Sequence, residues 1–153
     1  MRRFWILIAT GLGTGYAPIA SGTVGTLVGI PAVYFIDKYY PHYMLLVAAV
    51  VLFFIGTRAA AVAEWWFEES DSHKIVIDEI VGYMLAMYLV PVSAKTLIIA
   101  FFLFRFFDIA KIWPAKYFDL RPGPWAVMLD DVCAGIYSNI AIHLLFWFGW
   151  VKW

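Results

Sequence analysis

Long stretches without charged residues dominate this chain and indicate that it folds against lipid. No charge occurs over four runs of 33, 19, 15 and 20 residues, at positions 4–36, 39–57, 80–94 and 132–151. A helix needs about 20 mainly apolar residues to cross a bilayer. One such run could be a core helix of a soluble protein, but four in 153 residues predict a polytopic membrane protein.

The expected fold is an all-α transmembrane bundle of about five spans, preceded by an interfacial or re-entrant helix. Residues 4–36 are too many for one simple span, and glycines and Pro18 interrupt them. They predict a short interfacial helix over 3–12, an irregular loop over 13–22 and a span over 23–36. The remaining spans are expected at 39–57, 77–94, 96–110 and 132–151. The length and the lack of a linker predict a single domain over residues 1–153.

The distribution of basic residues predicts a cytoplasmic N-terminus, because cytoplasmic loops carry an excess of Lys and Arg. With the five spans above, one side of the membrane receives eight basic residues, Arg2, Arg3, Arg58, Lys74, Arg105, Lys111, Lys116 and Arg121. The other side receives only Lys38, Lys95 and Lys152, and Trp147, Trp150 and Trp153 are expected to anchor the C-terminus there.

Composition excludes several classes of protein. The chain is 64% hydrophobic and 14% charged, whereas a soluble domain is about half apolar and a quarter charged. Eleven basic and eleven acidic residues balance, so nothing marks a nucleic-acid-binding surface. The single cysteine, Cys133, excludes an intramolecular disulfide and a multi-cysteine zinc site.

Acidic residues are concentrated where the predicted spans begin or end on the cytoplasmic side. Asp78 and Glu79 open the third span, Asp108 closes the fourth, and Asp130 and Asp131 open the fifth. Ionisable residues at membrane depth are costly and mark functional sites. Carboxylate oxygens suit a hard cation such as Mg²⁺. The alternative is that acidic residues merely favour helix N-termini.

Two further groups point to phosphate. Arg105, Asp108 and Lys111 recur every three residues and share a helix face; Arg and Lys there suit a phosphate beside a metal, or else they form a simple salt bridge. The glycine-rich loop before the second segment offers backbone N–H groups and the hydroxyls of Ser21, Thr23 and Thr26 to an anion. Close helix packing through its small residues is the alternative. The loop lacks the Lys of a nucleotide P-loop, so ATP or GTP binding is not supported.

Four motifs in this order resemble the bacterial phosphatidylglycerophosphatase A family over residues 11–145. They are the loop 21–26, Asp78-Glu79 with Gly82, the segment 104–111 with Pro114 and Asp119, and Asp130-Asp131 with Ala134-Gly135. The resemblance implies a multi-pass enzyme of the bacterial inner membrane, with its active site towards the cytoplasm. It also implies Mg²⁺-dependent conversion of phosphatidylglycerophosphate to phosphatidylglycerol.

The residues and the resemblance together give a working assignment. Asp78, Glu79, Asp130 and Asp131 are expected to hold Mg²⁺, with Asp108 as a further catalytic carboxylate. Arg105, Lys111, Ser21, Gly22, Thr23 and Thr26 are expected to bind the substrate phosphate. A lipid phosphotransferase of the nucleotide-alcohol type and a non-catalytic ion pathway remain alternatives, although the transferase signature is missing and the outer halves of the spans are almost wholly apolar.

Overall fold

The computed structural model describes residues 1–151 and confirms an all-α fold. Its helices are α1 (Arg2–Ala9), α2 (Ser21–Tyr39), α3 (Met44–Phe67), α4 (Ile77–Ala86), α5 (Ala94–Ala110), α6 (Ala115–Asp119) and α7 (Pro124–Trp147), with a 3₁₀ turn at Thr14–Tyr16. The predicted roles of Lys152 and Trp153 lie outside the described residues.

The short helix α4 forms the centre of the bundle. Eight of its ten residues are buried, and α2, α3, α5 and α7 all pack around it. Glycines make this close packing possible: a Cβ on Gly29 of α2 would lie 2.9 Å from the ring of Tyr83, and one on Gly56 of α3 would lie 3.2 Å from Ile77. Gly135 of α7 lies directly against the backbone carbonyl of Gly82.

Within residues 1–151, two helices, α3 and α7, are long and apolar enough to cross a membrane. Only 33% of the most apolar window of α3 and 39% of that of α7 is buried, so most of each faces outward. Five spans are therefore not confirmed. At 17 residues, α5 is shorter than the length usually needed, about 20 residues.

The predicted span over 77–94 is not one helix. α4 ends at Ala86, Leu89 then adopts a left-handed backbone (φ 57°), and the side-chain amide of Asn139 donates to the carbonyls of Ala86 (3.1 Å) and Tyr88 (2.6 Å). A capping box then starts α5, with the amide of Thr96 donating to Ser93 Oγ at 3.2 Å. At about 1.5 Å per residue, α4 is half the thickness of a hydrocarbon core, about 30 Å.

Candidate active site

The candidate site lies at one end of the bundle, where the starts of α2, α4 and α7 meet the end of α5. The connection before α4 holds this end together: the amide of Val76 donates to the carbonyl of Ala9 at 2.9 Å. The hydroxyl of Ser21, the first residue of α2, donates to the carbonyl of His73. α2 therefore begins at Ser21, two residues before the predicted span over 23–36.

Three carboxylates from two helices converge at this end. Asp78 and Glu79 lie in the first turn of α4, and Asp131 lies in the second turn of α7. One carboxylate oxygen from each lies within 4.8 Å of the other two. Asp78 and Asp131 are only 7% and 3% exposed. One member of the second acidic pair, Asp131, therefore meets both members of the first pair in space.

This group fits a hard cation. Burying three negative charges together is unfavourable unless a positive charge compensates them. The Oε2 atom of Glu79 is buried and has no hydrogen-bond partner among residues 1–151. An all-carboxylate set of donors is the type that Mg²⁺ and similar ions prefer.

Asp130 belongs to a neighbouring cluster centred on Lys111. The ammonium of Lys111 forms ion pairs with Asp130, with Asp119 at 3.1 Å and with Asp108 at 3.6 Å. Partial burial alone would lower the pKa of Lys111, but Asp130, Asp131 and Asp108 outweigh it and raise that pKa. Lys111 therefore stays charged and neutralises these carboxylates.

Asp119 is the member of this cluster that the sequence did not single out as a site residue. It ends the five-residue helix α6, in a bent segment whose path no hydrophobic periodicity indicates. In the sequence, only its place in the family motif made of segment 104–111, Pro114 and Asp119 suggested that Asp119 belongs to the site.

Arg105 connects the two carboxylate groups. Its Nη1 atom lies 2.7 Å from Asp108 Oδ2, the i,i+3 ion pair that the spacing allowed. A Cβ on Gly22 would lie 3.1 Å from the same Nη1 atom and would collide with Glu79 Oε1. Glu79 and Arg105 thus meet over the first turn of α2. The helix dipole favours a negative charge there.

The predicted phosphate-binding hydroxyls are partly engaged by the backbone. Ser21 donates to His73 as described, and Thr26 Oγ1 donates to the carbonyl of Gly22 at 2.9 Å. Thr26 is fully buried, whereas Gly22 and Thr23 are half-buried. Of this loop, Gly22 is the residue that the structure places directly against Glu79 and Arg105.

Comparison with known proteins identifies the chain's relatives. The profile of the family described as Phosphatidylglycerophosphatase A matches residues 7–146. A Bacteroides thetaiotaomicron protein, provisionally named a phosphatidylinositol-3-phosphatase, is 38% identical, with 93% of each chain covered. The phosphatidylglycerophosphatases A of Escherichia coli and Haemophilus influenzae are 30% and 32% identical. They cover 92% and 91% of this chain and 83% and 86% of their own. No solved structure matches. On the family profile and these similarities over most of each chain, the protein belongs to the phosphatidylglycerophosphatase A family.

Proposed function

We propose that this protein removes the terminal phosphate of phosphatidylglycerophosphate in a Mg²⁺-dependent reaction that yields phosphatidylglycerol. The observation that carries the proposal is the convergence of Asp78, Glu79 and Asp131 at one end of the bundle. Family membership supports a phosphatase, and the names of the Escherichia coli and Haemophilus influenzae relatives supply the substrate.

Asp78, Glu79 and Asp131 would hold the ion, with Asp130 next to them on α7. A bound Mg²⁺ would supply Lewis-acid stabilisation of the negative charge on the phosphate oxygens. The negative charges of the carboxylates attract a cation to the site, and without a bound cation they would repel the substrate phosphate. One of them, with a free oxygen such as Glu79 Oε2, would accept the proton of the attacking water.

Arg105 is the side chain we assign to the phosphate. Its Nε atom is buried without a hydrogen-bond partner in the described part of the chain, so a donor is available. The ion pair with Asp108 orients the guanidinium, and Arg offers planar paired donors to phosphate oxygens. We assign Lys111 to holding Asp108, Asp119 and Asp130 in place.

The lipid substrate explains the surroundings of this site. Its phosphomonoester would lie at the membrane surface while its acyl chains stay in the bilayer beside outward-facing helices such as α3 and α7. We infer a multi-pass protein of the inner membrane whose candidate-site end faces the cytoplasm, since the basic residues of the sequence favour that orientation.

A lipid phosphorylated on inositol is a second candidate substrate. The Bacteroides thetaiotaomicron relative, whose name gives that activity, is 38% identical, above the 30% and 32% of the two phosphatidylglycerophosphatases. Both substrates are phosphomonoesters of a membrane lipid, so the same carboxylates and Arg105 would serve either. The polar headgroup distinguishes them.

The test is phosphate release by the purified protein from phosphatidylglycerophosphate and from phosphatidylinositol 3-phosphate, side by side. We expect release from the first, its loss in excess chelator and its recovery with Mg²⁺. Removing a stabilising charge worth several kcal/mol lowers a rate by roughly 100-fold or more, so Asp78→Asn and Asp131→Asn should lose at least that much. Asp37→Asn is the matched control, because Asp37 pairs with His42 at the other end of the bundle.

Two results would contradict the proposal. Full activity of Asp131→Asn in excess chelator would rule out a role for these carboxylates in binding a metal ion needed for the reaction. Release from the inositol lipid alone would assign the second substrate.

A further inference from the structure

A solvent-open cavity of about 400 Å³ lies between α1 and α3. Two arginines and two tryptophans line it, together with Met1 and small apolar side chains of α3; the residues are Met1, Arg2, Trp5, Arg58, Ala61, Val62 and Trp65. None of these was assigned to the candidate active site. A ligand bound here would therefore be held by residues that the proposed reaction does not use.

The cavity faces away from the carboxylates. Gly56 of α3 packs against Ile77 and Met128, the side of α3 that supports α4 and α7. Successive helical residues are rotated by about 100°, so Arg58, two positions on, points to the opposite side. Ala61, Val62 and Trp65 follow at helical spacing on that same outward face. A ligand here would not touch Asp78 or Asp131.

The two arginines of this cavity are exposed, and they lack the carboxylate partners that the half-buried Arg105 and Lys111 have. Arg105 and Lys111 are both paired with carboxylates. No carboxylate lies within ion-pair distance of Arg2 or Arg58 in residues 1–151, and the guanidinium of Arg2 instead lies over the ring of Trp65 at 4.5 Å. Two uncompensated guanidinium groups in one cavity favour an anion.

The surroundings favour an anion attached to a lipid. Tryptophan is enriched where a membrane protein meets the headgroup region, and Trp65 lies in the last turn of the apolar helix α3. Basic pockets between membrane helices bind anionic phospholipid headgroups. Ala61 and Val62 add an apolar wall on which a glycerol backbone or an acyl chain can lie.

We propose that this cavity binds the phosphodiester headgroup of an anionic membrane phospholipid, held between Arg2 and Arg58 and separate from the catalytic carboxylates. The inference goes beyond the proposed function, because the lipid is bound and not cleaved. Free phosphate has the same charge chemistry, so the experiment must separate the two sources.

The test is native mass spectrometry of the full-length protein in detergent, titrated with dioleoylphosphatidylserine or with dioleoylphosphatidylcholine. We expect one serine lipid to be retained preferentially over the choline lipid. One basic residue near a membrane surface changes lipid affinity by about fivefold, so Arg2→Gln and Arg58→Gln should each weaken retention by about that factor, and the double variant by about 25-fold. Arg58→Lys keeps the charge and should keep most of the binding.

Arg3→Gln is the matched control, because Arg3 is the neighbour of Arg2 on α1 and is exposed as Arg2 is, but it does not line the cavity. Equal losses in Arg2→Gln and Arg3→Gln would overturn the proposal in favour of general surface attraction. Equal retention of both lipids would overturn it as well, and so would complete displacement of the lipid by millimolar inorganic phosphate. The single Arg2→Gln and Arg58→Gln variants should release phosphate from the substrate lipid at the wild-type rate, so failure here is distinct from failure of the proposed activity.

Discussion

At the scale of single residues, Gly22 controls how Glu79 and Arg105 meet. It lies in the first turn of α2 and has no side chain between the helix and these two groups. The atoms that a Cβ would meet are the ends of long side chains, which can move. Adding a methyl group should therefore disturb the site more than the fold.

We predict that Gly22→Ala lowers phosphate release by about 100-fold, the effect of roughly 1 Å of misplacement in an active site. The thermal unfolding temperature should stay the same or rise, because Ala is a better helix former than Gly by up to about 1 kcal/mol. Paired activity and unfolding measurements check this. Val24→Ala, which removes atoms from the same helix, serves as the control. A wild-type kcat/KM in Gly22→Ala would contradict the conclusion that Gly22 leaves room for Glu79 and Arg105.

Lys111 is the second residue with an effect beyond its own contacts. It is the only described cation in contact with Asp108, Asp119 and Asp130 at once. Breaking a partly buried ion cluster by removing one partner leaves the others uncompensated. Stability, as well as catalysis, should therefore depend on this side chain.

Lys111→Met is expected to lower the free energy of unfolding by about 3–5 kcal/mol. The measurement is denaturant unfolding in detergent with chelator present, so that no divalent ion replaces the lost charge. Lys111→Arg should recover most of the stability, and Lys116→Met, at an exposed lysine of α6, should change little. An unchanged midpoint for Lys111→Met would show that the three carboxylates do not need this charge.

At the scale of elements, the contact between α4 and α7 sets the geometry of the carboxylates. Gly82 and Gly135 pack against each other, and a Cβ on Gly82 would also lie 2.7 Å from the carbonyl of Asp131. Asp78 lies one turn before Gly82, and Asp131 lies one turn before Gly135. The separation of the two helices therefore determines the separation of their acidic side chains.

Gly135→Ala should lower both stability and activity, unlike Gly22→Ala. The added Cβ would meet the backbone of Gly82, which cannot rotate away, so the helices must separate. Overpacking of this kind costs about 1–3 kcal/mol. Thermal unfolding and phosphate release measured on the same sample test the coupling. Ile140→Ala, on the outward face of α7 at 51% exposure, is the control. If Gly135→Ala kept both its stability and its activity, the α4–α7 contact would not set the geometry of the carboxylates.

At the scale of the whole molecule, the exposed surface fits a membrane protein with two polar ends. Large apolar side chains cover the outward faces of α3 and α7, among them Val50, Phe54, Ile140 and Leu144. Exposed tryptophans and tyrosines lie at both ends of α3, with Trp65 in its last turn and Tyr43 just before its first. Aromatic residues at two levels mark the two membrane–water interfaces.

The orientation can be tested with cysteines placed on either side of α3. In a Cys133→Ser background, we expect Ser70→Cys to react with a membrane-impermeant maleimide only in inside-out vesicles. Tyr40→Cys should react only in intact spheroplasts, because the 24 residues of α3 extend about 36 Å, enough to cross the bilayer. Labelling of both from one side would refute the crossing, and the reverse pattern would refute the cytoplasmic placement of the site.

Hydrophobic patterning was sufficient for the helical class and for the positions of α2 and α5. Its bounds for two other spans, 39–57 and 132–151, were wrong: α3 runs over Met44–Phe67 and α7 over Pro124–Trp147, because a helix can continue through charged residues such as Arg58 and Asp130, where an uncharged run ends. The patterning failed over 77–94, because an apolar run does not reveal that α4 stops at Ala86 or that Asn139, far along the chain, bonds the carbonyls of Ala86 and Tyr88 beyond that end. A helix buried on all sides by other helices is as apolar as one that faces lipid. Composition alone therefore could not separate the central α4 from the spans.

The sequence by itself determined the helical class, the likeness to the family and the acidic and basic residues near the site. The few charged residues of an apolar chain can be recognised from the sequence alone, without knowing how the helices pack. Only the tertiary structure decided how those residues are grouped. Packing at Gly82 and Gly135 brings Asp131 to Asp78 and Glu79, while α6 brings Asp119 to Lys111, which also binds Asp130. Such groupings depend on distances between helices, which no spacing along one helix encodes.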